Sequence, residues 1–403
     1  MSNRVWWIDP GNILLFVILP VFLLSATLGA PLMGEFGTSN FLSNDMVALG
    51  VAAICILAVG AKFGIAASAR LNADGLIFDK RKFDQFIVWT LGVTLFAHVV
   101  LVGPLVSDPD LMIGVLTGDL GANFVAKDTM TRIPGLTSLT NLTPLLFAMC
   151  SIRFLNWGRF APSPPALAAI FALLPLILIH AVIGSERIVL IENGLAFLLP
   201  LFSFTSSLRR AALIAPIFGI SFLIVIFAFG EYTRSWPFYK EQYNSFFEFV
   251  GQRLLAYIAV AVNNGAGMIT MLPPVGHPLM TARWMVQFPE IGLESPYYYD
   301  NYLERYGNVE FNNPSGVFSP IMDFGLTAGL LLLLLFGITL GVIYGLYRRL
   351  HPVGLLAYPI VFIGLADLTQ IWYWGEPRFV PQLIFLAAAV ALSVRRQLLP
   401  RLT

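Results

Sequence analysis

Apolar runs of about twenty residues recur along this chain, each closed by charged or turn-forming residues, and about that length is what a helix needs to cross a bilayer. They fall at roughly 12–33, 45–67, 84–106, 134–151, 165–184, 190–207, 211–230, 321–346, 354–373 and 377–394. The sixth is short. Hydrophobic residues make up 57% of the 403 and charged residues 12%. No soluble fold hides that much apolar surface from water, so the surrounding solvent is lipid. The expectation is an all-α, polytopic transmembrane protein with about ten spans.

A net charge of +1 makes no field that would gather nucleic acid, and none is expected as a partner. Cys55 and Cys150 each lie inside an apolar run and read as small hydrophobes, which argues against disulfide or metal chemistry. The first run resembles a signal-peptide core. Asp9 before it, Arg4 as its one preceding cation and Pro31 after the small-residue stretch favour a retained membrane anchor.

Lys and Arg collect in the loops that stay on the cytoplasmic side. With the N-terminus inside, the inside set holds Arg4, Arg70, Lys80, Arg81, Lys82, Arg153, Arg159, Arg209, Arg210, Arg348, Arg349, Arg395, Arg396 and Arg401. The first outside turn, 34–44, has none. Both termini are then cytoplasmic. The chain divides into spans one to seven over 1–230, a large outer loop over 231–320, and the last three spans with a short tail over 321–403.

Two outer segments are longer than connectors need to be. Residues 107–133 carry an apolar patch at 111–116, too short to span and suited to an interfacial or re-entrant turn. The large loop opens with apolar and aromatic residues at spacings of three and four over 236–262, which predicts an amphipathic helix that Asn263-Asn264-Gly265 would end.

Ionisable groups in or beside a bilayer are costly and mark a cavity or a partner. Arg187 follows the fifth span, and if that helix continues, His180, Gly184 and Arg187 share one face. It either snorkels to lipid phosphates or holds a ligand. Arg253 lies one turn before Tyr257, Arg283 beside Trp284, and Arg378 after Trp372, Tyr373, Trp374 and Glu376, where an aromatic belt with a local ion pair is the structural alternative. A guanidinium offers bidentate donors to phosphate oxygens and keeps its proton, the chemistry wanted for holding a pyrophosphate. Arg234 and Arg305 read as solvated loop charges.

His180, Glu186, His277, Asp300, Glu304 and Asp323 are the possible bases; His98 and His351 read as packed or solvated. Asp108-Pro109-Asp110 has a metal-binding D-x-D form but better suits a helix cap. Asp323-Phe324-Gly325 spells a kinase magnesium triplet without the rest of a kinase. No metal-ligand cluster, phosphate loop or nucleophile elbow is present in the sequence, and neither metal nor cofactor is expected. Asn312-Asn313-Pro314-Ser315-Gly316 and Pro320 bring polar groups to where the loop returns to the membrane.

At these residues the chain resembles the O-antigen and oligosaccharide repeat-unit polymerases. The resemblance rests on Ser185-Glu186-Arg187 closing a span and on Arg253-Leu254-Leu255-Ala256-Tyr257 early in a large outer loop, with Asn263-Asn264-Gly265 following. It also rests on Asp323-Phe324-Gly325-Leu326 entering the next span and on the 133–140 entry to the fourth, Ile-Pro-Gly-Leu-Thr-Ser-Leu-Thr. It implies a metal-independent glycosyltransferase of the bacterial inner membrane. Such an enzyme moves a growing glycan from undecaprenyl pyrophosphate onto a lipid-linked repeat unit at the periplasmic face, with a chain-length regulator as partner.

The resemblance maps Arg187 and Arg253 onto arginines that hold the pyrophosphates. His180 and Asp323 go forward as catalytic candidates, and Arg283, Arg305, Arg378, Tyr257 and Trp284 as substrate-binding ones. The related ligases carry a histidine before the span that follows the big loop; Asn312-Asn313-Pro314-Ser315 stands there in this chain, which favours polymerase. A flippase for the same lipid-linked sugars is the rival from another class.

Overall fold

The computed structural model describes residues 5–71, 75–155, 163–182, 186–204, 209–286 and 297–396. Helices dominate. The first apolar run forms α1 (Pro10–Leu32), which includes two π-helical stretches and starts on an Asp9 cap; α2 is Asn44–Ser68 and α3 is Lys80–Val106. There follow α4 (Pro109–Thr117), α5 (Ala122–Thr129), α6 (Thr143–Leu155), α7 (Pro164–Val182), α8 (Ile188–Phe204) and α9 (Arg209–Arg234). The large loop supplies α10 (Trp236–Tyr239), α11 (Phe246–Met271), α12 (Arg283–Val286) and α13 (Tyr297–Tyr306), before α14 (Ser319–Arg348), α15 (Pro352–Ala366) and α16 (Phe379–Ser393).

Seven of the described helices are long and apolar enough to cross a membrane, and three shorter apolar ones accompany them. The chain is an all-α, multi-pass membrane protein. The expected span at 134–151 is a 3-10 helix over Thr137–Leu142 followed by the 13 residues of α6, and it belongs to neither group; beyond it, two features differ from the sequence expectation. The run at 354–373 stays helical only to Ala366, because Gln370 beyond it is drawn into polar contacts, donating to the Tyr257 carbonyl at 3.1 Å and accepting from the Asn313 amide at 2.9 Å.

The large-loop helix is the second difference. It breaks between Tyr239 and Phe246 and then runs through Asn263-Asn264-Gly265 to Met271, so α11 is itself long and apolar enough to span. The asparagines do not end it because their amides are spent on neighbours. Asn263 accepts from the Phe41 N–H and donates to the Ser39 carbonyl, both at 2.8 Å, and Asn264 donates to the Phe311 carbonyl at 2.8 Å. Asparagine shows its helix-ending preference only when its side chain has no better bond elsewhere.

The contacts divide the chain into two units, and they do not follow the sequence order. Unit 1 takes Met1–Asn72, Gln252–Arg349 and Val361–Val380; unit 2 takes Ala73–Gly251, Leu350–Ile360 and Pro381–Thr403.

Unit 1 is built on the α2–α14 seam. A Cβ on Gly64 would lie 2.0 Å from the Ile338 carbonyl oxygen, one on Gly341 2.0 Å from that of Ala61, and one on Gly337 2.3 Å from that of Leu57. Small residues spaced this way let two backbones touch, which is how membrane helices associate where burial of apolar surface gives no driving force. At its far end Arg349 donates to the Ser68 carbonyl at 2.6 Å and to that of Leu71 at 3.1 Å, tying the two helices together.

In unit 2, α3 packs on α7 and α6 on α8. The 107–133 segment forms α4 and α5, capped by Asp108 through the Leu111 N–H at 3.0 Å. The cap reading of the D-x-D is therefore the one realised. Val115, Ala126 and Met130 pack on Leu101, Val102 and Leu105 of α3, while Ile113, Leu116, Leu120 and Phe124 stay exposed, as an interfacial hairpin requires. A two-stranded antiparallel ribbon, β1 (Leu76–Phe78) with β2 (Val394–Arg396), joins two segments that the charge rule had put on one side, and Arg153 of α6 grips Asp84 of α3 at 2.6 and 2.9 Å near the same end.

Gly341→Val is expected to destabilise unit 1 by about 1–3 kcal/mol through overpacking, whereas Gly219→Ala on α9, where nothing lies within 4 Å of the new carbon, should leave stability unchanged. Thermal unfolding of both variants in one detergent decides it.

Candidate functional site

The candidates fall into both units: Arg187 and His180 belong to unit 2, and Arg253, Arg283, Arg305, Arg378, Asp323, Tyr257 and Trp284 to unit 1.

In unit 2, α7 is described to Val182 and α8 from Ile188, so the helical stacking expected of His180, Gly184 and Arg187 falls on 183–185, outside the described residues. Arg187 sits in the turn that leads into α8. Its guanidinium meets Glu231 of α9 at 2.6 Å, and Glu231 also holds Arg234 at 3.1 Å from one turn along the same helix. Glu231 is fully buried while Arg187 keeps 15% of its side chain exposed. The carbon end of the same guanidinium lies 4.6 Å from the Phe227 ring centroid, and Gly230 leaves the space the guanidinium fills, since a Cβ there would stand 2.4 Å from its Nε.

An arginine flanked by a buried carboxylate, an aromatic face and a glycine gap has little rotamer freedom left. Arg187 is oriented rather than snorkelling at will, and Arg234 is part of its mounting rather than a solvated loop charge.

His180 lies in the last turn of α7. Its Nε2 lies 3.4 Å from a Glu186 carboxylate oxygen, and Arg132 approaches the other oxygen at 3.8 Å. The His180 ring is 6.1 Å from that of His98, edge to face, and the buried His180 Nδ1 has no hydrogen-bond partner among the described residues. His98, which reads in the sequence as packed or solvated, is buried. It donates from Nδ1 to the Thr94 carbonyl at 3.0 Å, which leaves its other nitrogen as an acceptor.

Unit 1 repeats the arginine mounting with different parts. Arg253 on α11 reaches Glu310 at 2.6 Å and lies 4.6 Å over the Phe311 ring. Tyr257, one turn on, meets the same ring edge to face at 5.7 Å. Arg283 reaches Glu376 at 3.1 Å and is more open, at 37% exposed. Trp284 and Arg378 are half-buried, and Arg305 is exposed on α13, where the solvated-charge reading holds. Burial raises the phenol pKa of Tyr299 well above its usual range, as it does that of Tyr302, so both α13 hydroxyls stay neutral near pH 7.

Asp323 differs from the base expected of it. It is buried, and its two oxygens accept from the Met280 N–H at 2.9 and 3.0 Å, the Thr281 N–H at 2.7 Å and the Thr281 hydroxyl at 2.6 Å. Its carbonyl takes the Gly276 N–H at 2.7 Å, and two residues later Gly325, at φ 78°, kinks α14. A carboxylate that takes two backbone N–H groups and a hydroxyl from Met280 and Thr281 anchors the 276–281 segment. The Asp-Phe-Gly triplet is thus a kink with a clamp, and through Thr281 it fixes the approach to Arg283.

Sequence reasoning missed Glu231 and Glu310, and it named Glu376 only as an ion-pair partner for Arg378, without its contact to Arg283. The i, i+3 spacing of Glu231 and Arg234 was the one local signal; the other pairs cross long stretches of chain. No family model, curated protein or solved structure matches this chain.

Asp323→Asn replaces an acceptor oxygen by an N–H that faces the Met280 and Thr281 donors, and should cost about 1–3 kcal/mol. Limited proteolysis should then cut within 273–282 at protein concentrations and temperatures where the parent chain resists; equal resistance would refute the clamp.

Proposed function

We propose that this chain is a glycan polymerase of a bacterial inner membrane, with both termini cytoplasmic. It transfers a growing oligosaccharide from undecaprenyl pyrophosphate to the sugar of another lipid-linked repeat unit at the periplasmic face. The observation that carries the reading is the shared mounting of Arg187 and Arg253. Each is held at 2.6 Å by a carboxylate and stacked 4.6 Å from an aromatic centroid, one in each unit.

A guanidinium has five N–H donors in a planar fork that matches phosphate oxygens, and a carboxylate that orients it does not by itself use all five. Its planar fork, held in place before substrate arrives, loses less freedom on binding a diphosphate than a swinging side chain would. In the transfer, the acceptor hydroxyl oxygen bonds to the anomeric carbon of the donor sugar. The sugar–phosphate bond breaks, and the electron pair leaves with undecaprenyl pyrophosphate. Arginines that meet that growing charge lower the barrier most when little reorganisation is needed.

The hydroxyl proton needs an acceptor. His180 with Glu186 at 3.4 Å suits that role better than Asp323, which already accepts from Met280 and Thr281. Tyr257 and Trp284 offer faces on which sugar rings stack, and a chain-length regulator would set product size.

Deleting the gene separates the alternatives. Loss of the polymerase leaves glycan of a single repeat unit on the surface, loss of a flippase leaves none, and loss of a ligase leaves long chains on the lipid carrier. Complementation with Arg187→Ala, at matched protein level, should lower long-chain product by about 100-fold or more, the usual cost of one preorganised charge donor. Arg187→Lys should recover little, because an ammonium lacks the fork. Glu231→Gln should lower it through Arg187 alone, adding no further loss to Arg187→Ala. Unchanged chain lengths in Arg187→Ala would sink the reading.

A further inference from the structure

We infer that Glu310 is a positioning residue for the proposed diphosphate: its carboxylate stands in for the phosphates at Arg253 in the resting chain, gives way when they bind and returns when they leave. The inference deepens the polymerase reading and rests on it for the identity of the ligand.

Three of the sequence-predicted arginines face a glutamate, and the pairs differ in which partner is covered. Glu231 is 0% exposed against 15% for Arg187, and Glu376 is 12% exposed against 37% for Arg283. In both, the guanidinium is the more open member. At Arg253 the order reverses, with the arginine 6% exposed and Glu310 36%. The 2.6 Å contact is as short as that of Arg187 with Glu231, yet the accessible member is the acid. A diphosphate that takes Arg253 therefore exchanges with Glu310, whereas Glu231, buried on α9 and bonded to Arg234 as well, stays in place.

The backbone around Glu310 is anchored on both sides. Asn308 accepts the Glu310 N–H at 2.9 Å through Oδ1 and donates through Nδ2 to the Phe36 carbonyl at 2.8 Å, and its own carbonyl takes the Phe311 N–H at 2.9 Å. Phe311 is buried, its carbonyl is held by Asn264 at 2.8 Å, and its ring centroid lies 4.6 Å from the Arg253 guanidinium carbon. Exchange then needs only rotation of an exposed side chain, a motion of nanoseconds or less. The Phe311 ring does not have to move, so the guanidinium keeps its plane while its counter-charge changes. All of these residues belong to unit 1.

A guanidinium this well covered is costly without an opposite charge, because a lone buried cation loses its hydration. Glu310 supplies that charge before substrate arrives. A carboxylate and a phosphate offer the fork the same kind of acceptor pair, so one replaces the other with the arginine in place. Being tethered, the carboxylate competes at a high effective concentration, which weakens the hold on the phosphates and lets the departing undecaprenyl pyrophosphate go.

The test is thermal unfolding and calorimetric titration of the full chain in one detergent, with farnesyl diphosphate as the probe. Glu310→Gln keeps the shape and removes the charge, and should lower the unfolding midpoint of the ligand-free chain. It should also bind farnesyl diphosphate about tenfold more tightly than the parent does, the scale of one charge-assisted hydrogen bond. The probe should then raise the midpoint of the variant more than that of the parent. Glu310→Ala should move both readings the same way. Glu35→Gln, which removes a charge from an exposed position beside Phe36, should move neither. In an Arg253→Ala chain, Glu310→Gln should no longer tighten binding. Weaker or unchanged binding in both Glu310 variants, or a gain that survives Arg253→Ala, overturns the inference, since a glutamate with a purely structural role does not tighten a ligand when lost. Tighter binding of inorganic pyrophosphate than of farnesyl diphosphate would overturn it also, by assigning Arg253 to a free ligand. None of these readings involves glycan length, so the outcome stands apart from that of the Arg187→Ala complementation.

Discussion

Hydrocarbon offers no hydrogen bonds, so every polar group drawn among the helices of this chain must find its partner in the chain itself. The consequences run through both units. Lys62, inside α2, reaches Asp9 at 2.7 Å and Asn12 at 2.8 Å, which fixes α1 against α2. Thr90 and Thr94 return their hydroxyls to the carbonyls one turn back on α3, and Ser25 does so on α1. These bonds hold polar residues inside apolar helices without asking anything of the lipid.

The same constraint shapes the rim of the molecule, where charge is tolerable but still needs direction. Arg187, Arg253 and Arg283 each face a glutamate, and the first two also lie over a phenylalanine. Such pairs contribute little net stability on their own, because desolvation offsets most of the attraction. What they supply is orientation. A guanidinium held on two sides presents its remaining donors in one direction, which matters for a phosphate ligand and hardly at all for folding.

The spans were legible because lipid imposes a length and a polarity that a single stretch of sequence either meets or fails. Arg187 and Arg253 were legible for a related reason, since an arginine beside an apolar run is costly and stands out. Their partners were not. Glu231 is one more acidic residue after a span, and Glu310 one more in a loop, until the fold sets them against the arginines. Asp323 reads in the sequence as one of six possible bases, and only its geometry reveals it as the clamp for 276–281. Asn263-Asn264-Gly265 reads as a helix end for reasons that are sound locally and lose to buried amide bonds with Ser39, Phe41 and Phe311.

What the sequence determined by itself is the solvent and the class of fold, because hydrophobic length is a local property that survives any arrangement of the helices. Which helices associate, which carboxylate steers which arginine, and where a helix kinks or runs on were decided only in three dimensions. Each of those outcomes depends on a partner far away in the chain, and no local pattern records the distance between two side chains that the backbone has yet to bring together.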